Sequence, residues 1–380
     1  MLPLSDFLVV DFSQFLSGPL ASLRLADLGA RVIKIEKPKT GDICRHLYTS
    51  DTVLNGTSTV FHAINRNKES IDLDIKDEAD RKVIADLIKK ADVVMHNFRP
   101  GVMERLGFDY QQVRAINPQV IYGEISGYGD HGPWKGLPGQ DLLLQAMTGM
   151  TWLSGDADHG PVSMGLSIVD MFAGMNLCNG ILACLYRRAV KNEGAHVAIS
   201  MLDSAVDIQF ETVTTYFNDG GTLPERTTVS NAHAYLAAPY GIYSTNDGHL
   251  ALAMGSIPFL GSLLDCEALK NYRDGQEAFD KRSEIKAVLA AHLATGSTAH
   301  WLTILEAADI WCAPVQDWHT LMQHDGFKLL EMIQTVTMGD GYTYDTTACP
   351  IRIDGVRLKA SKGSPKLGEH AVKIRKELYG

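Results

Sequence analysis

Two aspartates stand directly ahead of apolar runs: Asp141 before Leu142-Leu143-Leu144, and Asp170 at the head of the long stretch Met171 to Tyr186. A carboxylate of ordinary pKa, about 4, is charged at neutral pH, so each brings a fixed anion to whatever site it joins. Asp before an apolar helix is also among the commonest N-caps, and local sequence alone favours capping for both. Lys37, Arg45, Lys68, Arg99 and Arg105 fall in loops or turns after strand-like runs. Singly, each reads as solvated surface charge; gathered at one end of a sheet they would suit a phosphate-bearing ligand.

Other chemistries are poorly served. Cys44, Cys178, Cys184, Cys266, Cys312 and Cys349 show no CxxC pairing and no His/Cys cluster at zinc spacing, so reduced thiols and no metal site are expected. No GxGxxG follows a strand and no GxxxxGK[ST] occurs, which argues against a nicotinamide oxidoreductase and a P-loop enzyme. A net charge of -10 with scattered lysines and arginines speaks against nucleic acid or an anionic membrane as partner. The start, Met-Leu-Pro-Leu-Ser-Asp-Phe, has neither the basic nor the apolar part of a signal peptide, so a cytoplasmic location is expected. Met171 to Tyr186 contains Asn176 and Asn179 and falls short of the roughly 20 residues of a membrane span, so it reads as a buried helix.

The elements that must position these residues alternate strand and helix. Phe7–Asp11, Arg31–Glu36, Ser70–Asp74, Ala91–Met95 and Val120–Ile125 read as strands, with helices over Leu20–Leu28 and about Asp77 to Lys90. That alternation predicts a parallel sheet covered by helices, with a ligand at the carboxyl ends of the strands, where the loops after Asp11, Glu36, Met95 and Ile125 converge. A helix is expected from Asp170 to about Val190, then a strand over Val197–Met201 and a helix over Asp203–Thr215. Residues 218–231, with Gly220, Gly221 and Pro224, read as a linker. The turn Asn246-Asp247-Gly248 between two short apolar runs, followed by helical patterns, predicts a smaller α+β domain over 232–318. Residues 319–380 are then expected to link back to the large domain.

Several separated motifs now carry a resemblance: Val10-Asp11-Phe12 with Ser17-Gly18-Pro19; Leu28-Gly29-Ala30-Arg31-Val32-Ile33-Lys34-Ile35-Glu36 with Gly41-Asp42; Asn67-Lys68-Glu69-Ser70-Ile71; Asn97-Phe98-Arg99-Pro100-Gly101 with Arg105-Leu106-Gly107; Ile116-Asn117-Pro118; and Gly127-Tyr128-Gly129 with Gly132-Pro133. In this order and spacing the sequence resembles, over essentially its full length, the class III CoA-transferases, the CaiB/BaiF-like family of formyl-CoA and carnitine CoA-transferases.

The resemblance implies an α/β fold: a Rossmann-like large domain over 1–217 with a parallel sheet, a smaller α+β domain, and an interlocked homodimer. It places the catalytic aspartate on Asp170 and a second carboxylate close to it on Asp141. It implies a coenzyme A thioester as substrate, with no tightly bound cofactor, and Gln14, Phe15, Lys37, Arg45, Lys68, Asn97, Phe98, Arg99, Arg105 and Tyr128 as residues of the CoA cleft. The chemistry fits a carboxylate that is charged at neutral pH and can accept an acyl group: Asp170 would form a mixed anhydride, then an aspartyl-CoA thioester from which a small carboxylic acid takes CoA. Backbone amides of the glycine-rich loops are candidates to stabilise the oxyanions.

Racemases of the same superfamily carry a His directly before the Asp of the Asp141 loop. Here that residue is Gln140, and neither His96 nor His131 falls on the racemase position, so transfer is favoured on base availability. A CoA-binding protein without turnover would have no need of Asp170. Formyl-CoA and oxalate are doubtful as the substrate pair, since the mobile glycine-rich loop has no clear counterpart near Asn231 to Pro239. Acetyl-, succinyl- or another short acyl-CoA as donor, with oxalate, a dicarboxylate or a carnitine-like acid as acceptor, stay open.

Overall fold

The apolar runs form a six-stranded sheet in the computed structural model, which describes residues 2–47 and 52–380. The strands are β1 (Leu8–Asp11), β2 (Arg31–Glu36), β3 (Glu69–Asp72), β4 (Val93–His96), β5 (Ile121–Ser126) and β6 (Ala195–Ser200). All neighbours pair in parallel, and the order is β3-β2-β1-β4-β5-β6. Central strands are buried at nearly every position, which explains their continuous apolar runs: helices cover both faces of such a sheet. From β1 the chain winds outward to β2 and β3, then returns to place β4 on the other side of β1. The loops leaving β1 and β4 therefore diverge, opening a crevice at the strand ends.

Residue contacts gather segments 1–144, 167–208 and 325–380 into one unit and 145–166 with 209–324 into another. The first unit's core includes Val10, Phe12, Ile33, Ile71, Val94 and Tyr122 of the sheet and Ile84 and Leu87 of helix α2 (Glu78–Lys90). Helix α1 (Ser17–Asp27) connects β1 to β2, and the short helix α3 (Asp141–Met147) begins at Asp141.

Helix α4 (Ile168–Lys191) has 24 residues, long and apolar enough by length and composition to cross a membrane. The helix runs past the apolar stretch at both ends, taking in Asp170 at its start and Arg187, Arg188 and Lys191 at its close. In the fold, α4 lies against α1, β5 and β6, burying the stripe Val169, Ala173, Leu177, Ile181 and Leu185. A Cβ at Gly174 would stand 2.5 Å from the carbonyl oxygen of Ser17, so glycine is what lets α4 touch the start of α1. The expected helix over Asp203–Thr215 is two: α5 (Met201–Asp207) and α6 (Phe210–Asn218), with the division between units at 208–209.

The second unit holds α6, a three-stranded antiparallel sheet of β7 (Gly241–Ser244), β8 (His249–Leu252) and β9 (Cys312–Pro314) in the order β9-β8-β7, and helices α7 (Ile257–Leu263), α8 (Arg282–Leu293) and α9 (Thr298–Ala307). Tyr243, Leu250, Leu260, Ile285, Leu289 and Trp301 form its core.

The units divide the chain differently from the sequence reading: residues 145–166 and 209–217, placed there in the large domain, and 319–324, placed there in the return, gather with the second unit. The linker 218–231 carries bonds of its own. Arg226 donates to the carbonyls of Ser154 and His159, each at 2.7 Å, and Asn231 donates to that of Gly155 at 3.0 Å. The chain then re-enters the first unit with the hairpin β10 (Ile333–Thr337) and β11 (Thr343–Thr347) and the helix α10 (Ala371–Tyr379), whose Ile374 joins the large core.

Candidate active site

Asp170 is the third residue of α4, so it is not the cap its local sequence suggested. The cap position, Ser167, makes no side-chain cap bond. Asp141 supplies the missing acceptor: its Oδ1 takes the amide of Val169 at 2.7 Å and that of Asp170 at 3.2 Å. The aspartate expected to cap α3 thus caps α4. Burial pushes the Asp170 carboxyl up to about 6, and the Asp141 charge adds to the rise; hydrogen bonds from the Ser17 hydroxyl and amide oppose it. At neutral pH Asp170 is still mostly ionised, half-buried and held at a helix N-terminus.

The loop after β1, which carries Gln14, Phe15 and Ser17, is propped by charges inside the protein. Lys34 and Asp42, both with fully buried side chains, pair at 2.9 Å, and Lys34 Nζ donates to the Ser13 carbonyl at 2.6 Å. Asp11 accepts from the Ser13 amide and from the Ser13 and Ser22 hydroxyls. Burial alone would raise its pKa, but Lys34 and Lys68 with these bonds hold it below the ordinary range. Asp42 Oδ1 takes the Phe15 amide at 3.2 Å, helping to keep Phe15 at a φ of 62°, a left-handed conformation uncommon outside glycine. From the β4 side, Asn97 clamps the same loop: Oδ1 accepts from Gln14 N at 2.8 Å and Nδ2 donates to Gln14 O at 2.6 Å. The crevice between β1 and β4 is therefore a braced structure.

Sequence reasoning missed Asp11, Ser13, Lys34 and Asp42 as members of this brace. The signal was present in Arg31-Val32-Ile33-Lys34-Ile35-Glu36, because a lysine inside a strand buried on both faces requires an internal partner.

The ten proposed CoA-cleft residues separate by burial. Lys37, Arg99 and Arg105 are exposed, and Phe15, 45% exposed, stands at the crevice with its side chain in solvent. Gln14 is half-buried. Phe98 packs partly on the core and stacks on His96 at 6.1 Å; with Arg99 it lines a cavity of about 540 Å³ that His96, Glu124, Ser126 and Ser200 share at the ends of β4, β5 and β6.

Three assignments need correction. Lys68 is 1% exposed, and its Nζ is used by Pro19 O at 2.9 Å, Ser22 Oγ at 2.7 Å and Asn65 Oδ1 at 2.9 Å, so it is a core cation and not a phosphate ligand. Arg45 spends its fork on Glu36, at 2.7 and 2.8 Å, and lies 3.8 Å over the Phe61 ring. Asn97 commits its side-chain amide to Gln14, which makes it a brace. Tyr128 is buried and its hydroxyl bonds Pro138 O within the loop preceding Asp141. That loop closes where Gly127 and Gly139 meet: a Cβ on Gly127 would lie 2.8 Å from Gly139 Cα.

The histidines weighed as bases are engaged. His96 is buried 3.3 Å from Glu124, which also meets His196 at 3.2 Å, and His131 pairs with Asp130 on the surface. A larger cavity, about 800 Å³, lies wholly within the second unit among Trp152, Leu153, Val213, Tyr216 and Leu223, and contains neither aspartate. Among the described residues no His/Cys/Asp/Glu cluster has the geometry of a metal site.

Residues 4–371 match the family model described as CoA-transferase family III. The chain is 32% identical to the acetyl-CoA:oxalate CoA-transferase of Acetobacter aceti, over 99% of this chain and 95% of that protein. It is 30% identical to the succinyl-CoA:glutarate CoA-transferase of Mus musculus, over 100% of this chain and 87% of that protein. A crystal structure of a CaiB/BaiF family protein from Brucella suis superposes with a TM-score of 0.85 at 30% identity, covering 99% of both chains.

Proposed function

This chain belongs to CoA-transferase family III, and from that premise we propose that it moves CoA from a short acyl-CoA thioester to a small carboxylic acid through covalent intermediates on Asp170. The observation that carries this reading is the state of Asp170: a carboxylate in the first turn of α4, its own amide held by Asp141, and ionised at neutral pH. A nucleophile needs that charge and that fixed position.

A carboxylate oxygen of Asp170 attacks the thioester carbonyl and CoA thiolate leaves, giving a mixed anhydride. The thiolate then attacks the aspartyl carbonyl, releases the donor acid and leaves an aspartyl-CoA thioester. The acceptor carboxylate attacks that thioester, and the returning thiolate takes the acceptor acyl group, freeing Asp170. Asp141 keeps α4 in register throughout and places a second negative charge beside the nucleophile, a repulsion that is relieved when Asp170 becomes a neutral anhydride or thioester. Lys37, Arg99 and Arg105 are the exposed cations suited to the CoA phosphates.

The relatives' donors and acceptors, acetyl-CoA with oxalate and succinyl-CoA with glutarate, support short acyl groups and small di-acids as the substrate class. A homodimer is part of the same reading: Tyr186 and Val190 on α4 of the first unit, and separately Phe210 and Phe217 on α6 of the second, are all at least 65% exposed, apolar side chains that suit burial by a second copy.

The test is to incubate the protein with acetyl-CoA or succinyl-CoA, add hydroxylamine, and look for the aspartyl hydroxamate by peptide mass spectrometry. Modification at Asp170 that vanishes in Asp170→Ala is expected. An unmodified Asp170, with exchange of the α-proton of a 2-methylacyl-CoA into solvent, would replace the reading with racemisation.

A further inference from the structure

We propose that His96 is a positioning residue for coenzyme A: its neutral ring holds the Phe98 amide and so fixes the turn that carries Asn97 and Arg99. The proposal rests on the reading of Arg99 as a ligand of the CoA phosphates and adds what keeps that turn in place.

His96 is the last residue of β4 and is 5% exposed. Its Nδ1 accepts the backbone amide of Phe98 at 3.3 Å, and the Phe98 ring stacks on the imidazole with 20° between the planes. A nitrogen that accepts carries no proton, which puts the ring hydrogen on Nε2. That atom stands 3.3 Å from Glu124 Oε2 without alignment for a hydrogen bond, a closeness set by the register of the sheet, where His96 lies opposite Glu124. The other oxygen of Glu124 meets His196 Nε2 at 3.2 Å. Burial would raise the Glu124 carboxyl, but His196 and His96 hold it down at about 2, so it stays ionised.

Other groups face the ring from the elements around it. Tyr122 of β5 meets it edge-on at 5.4 Å, with its hydroxyl committed to Phe108 O. Across the cavity stand Arg99, Glu104 and Asp109 from the loop after β4. Asp130 and His131 from the loop after β5, and Asp203 of α5, complete the charged lining.

Imidazole changes charge between about pH 5 and 8. A proton added to His96 goes to Nδ1, the lone pair that Phe98 uses. Two N–H groups then face each other and the turn is released. Asn97, which clamps Gln14 through both atoms of its amide, and the exposed Arg99 lose their common anchor. The grip on coenzyme A thus depends on the charge of a ring that takes no part in the transfer.

The experiment measures the Kd of coenzyme A by calorimetry from about pH 5 to about pH 8, with trapping at Asp170 run in parallel. His96→Asn keeps an oxygen that can take the amide two residues on and does not titrate; His96→Phe keeps a stacking ring and has no acceptor. The 3′-phosphate of the coenzyme itself titrates near about pH 6, so the readout is the ratio of each variant to wild type. At about pH 8 His96→Asn is expected to match wild type and His96→Phe to bind about tenfold more weakly. At the acid end wild type is expected to fall to the level of His96→Phe while His96→Asn does not. Glu124→Gln removes the anion beside the ring and is expected to move that fall to lower pH. The ¹⁵N resonances of His96, assigned with His96→Asn, are expected to show the Nε2–H tautomer at about pH 8. A ratio of wild type to His96→Asn that is constant with pH, or an Nδ1–H tautomer, would overturn the proposal and leave CoA binding standing. A wild type that binds no coenzyme A would remove the reading beneath it.

Discussion

Asp141 Oδ1 accepts the backbone amides of Val169 and Asp170, so one carboxylate caps the helix that carries the other. Charge and cap act in different directions and can be separated. Asp141→Asn keeps an acceptor oxygen and removes the charge; without that charge the Asp170 carboxyl, now raised to about 6, falls toward its ordinary value, and the acid limb of kcat moves to lower pH. Asp141→Ala also loses the cap, at a cost of about 1 kcal/mol. Denaturant titration checks the second effect and a pH–rate profile the first.

Holding Asp170 ionised costs stability. Its folded pKa lies above the unfolded value of 3.8, so between these values the folded state binds more protons and stability falls as pH rises. The full penalty applies above about pH 6 and disappears below about pH 4. Asp170→Asn is therefore expected to be inactive and more stable at pH 8 by about 1 to 3 kcal/mol, with the gain gone at the acid end. Melting curves across pH test both the sign and the window.

The buried pair under the β1 loop behaves oppositely. Removing Lys34 leaves Asp42 enclosed and without its cation, which costs about 3 to 5 kcal/mol. Lys34→Met and Asp42→Asn should each destabilise strongly, and the double variant should lose less than the sum of the two. Urea unfolding of the three variants measures the coupling.

Exposed and buried cations should part company in kinetics. Arg99→Ala and Arg105→Ala are expected to raise KM for acyl-CoA about tenfold each with melting temperature unchanged. Arg45→Ala should lower the melting temperature, because Glu36 is left buried and unpaired. Steady-state kinetics beside thermal melts distinguish the two groups.

The sheet was legible because helices cover both of its faces: a strand buried on both sides must be apolar throughout, and β1, β2, β4 and β5 announce themselves by composition. The placement of Asp141 and Asp170 was legible only through the family resemblance. Local sequence made each the cap of its own helix, and no periodicity reveals that a carboxylate 29 residues upstream serves a different helix. Lys68 and Arg45 were misread for a similar reason. Their partners, such as Pro19 and Pro365, lie far along the chain, and a lysine committed to the core has the same local surroundings as one in solvent. The boundary at 145–166 depends on the bonds from Arg226 and Asn231, which sequence composition does not express.

The large unit is closed by chain made late. Ser70 on β3 donates its amide to His370, 300 residues later, Glu69 pairs with Lys373, and Ile374 completes the core. During synthesis, β1 to β6 emerge with one flank of β3 uncovered, and residues 209–324 appear before the piece that seals it. Folding on the ribosome can finish the second unit first, while the Rossmann-like half waits incomplete with apolar surface open to other chains. A need for holding chaperones during translation is the expected consequence of this order of manufacture.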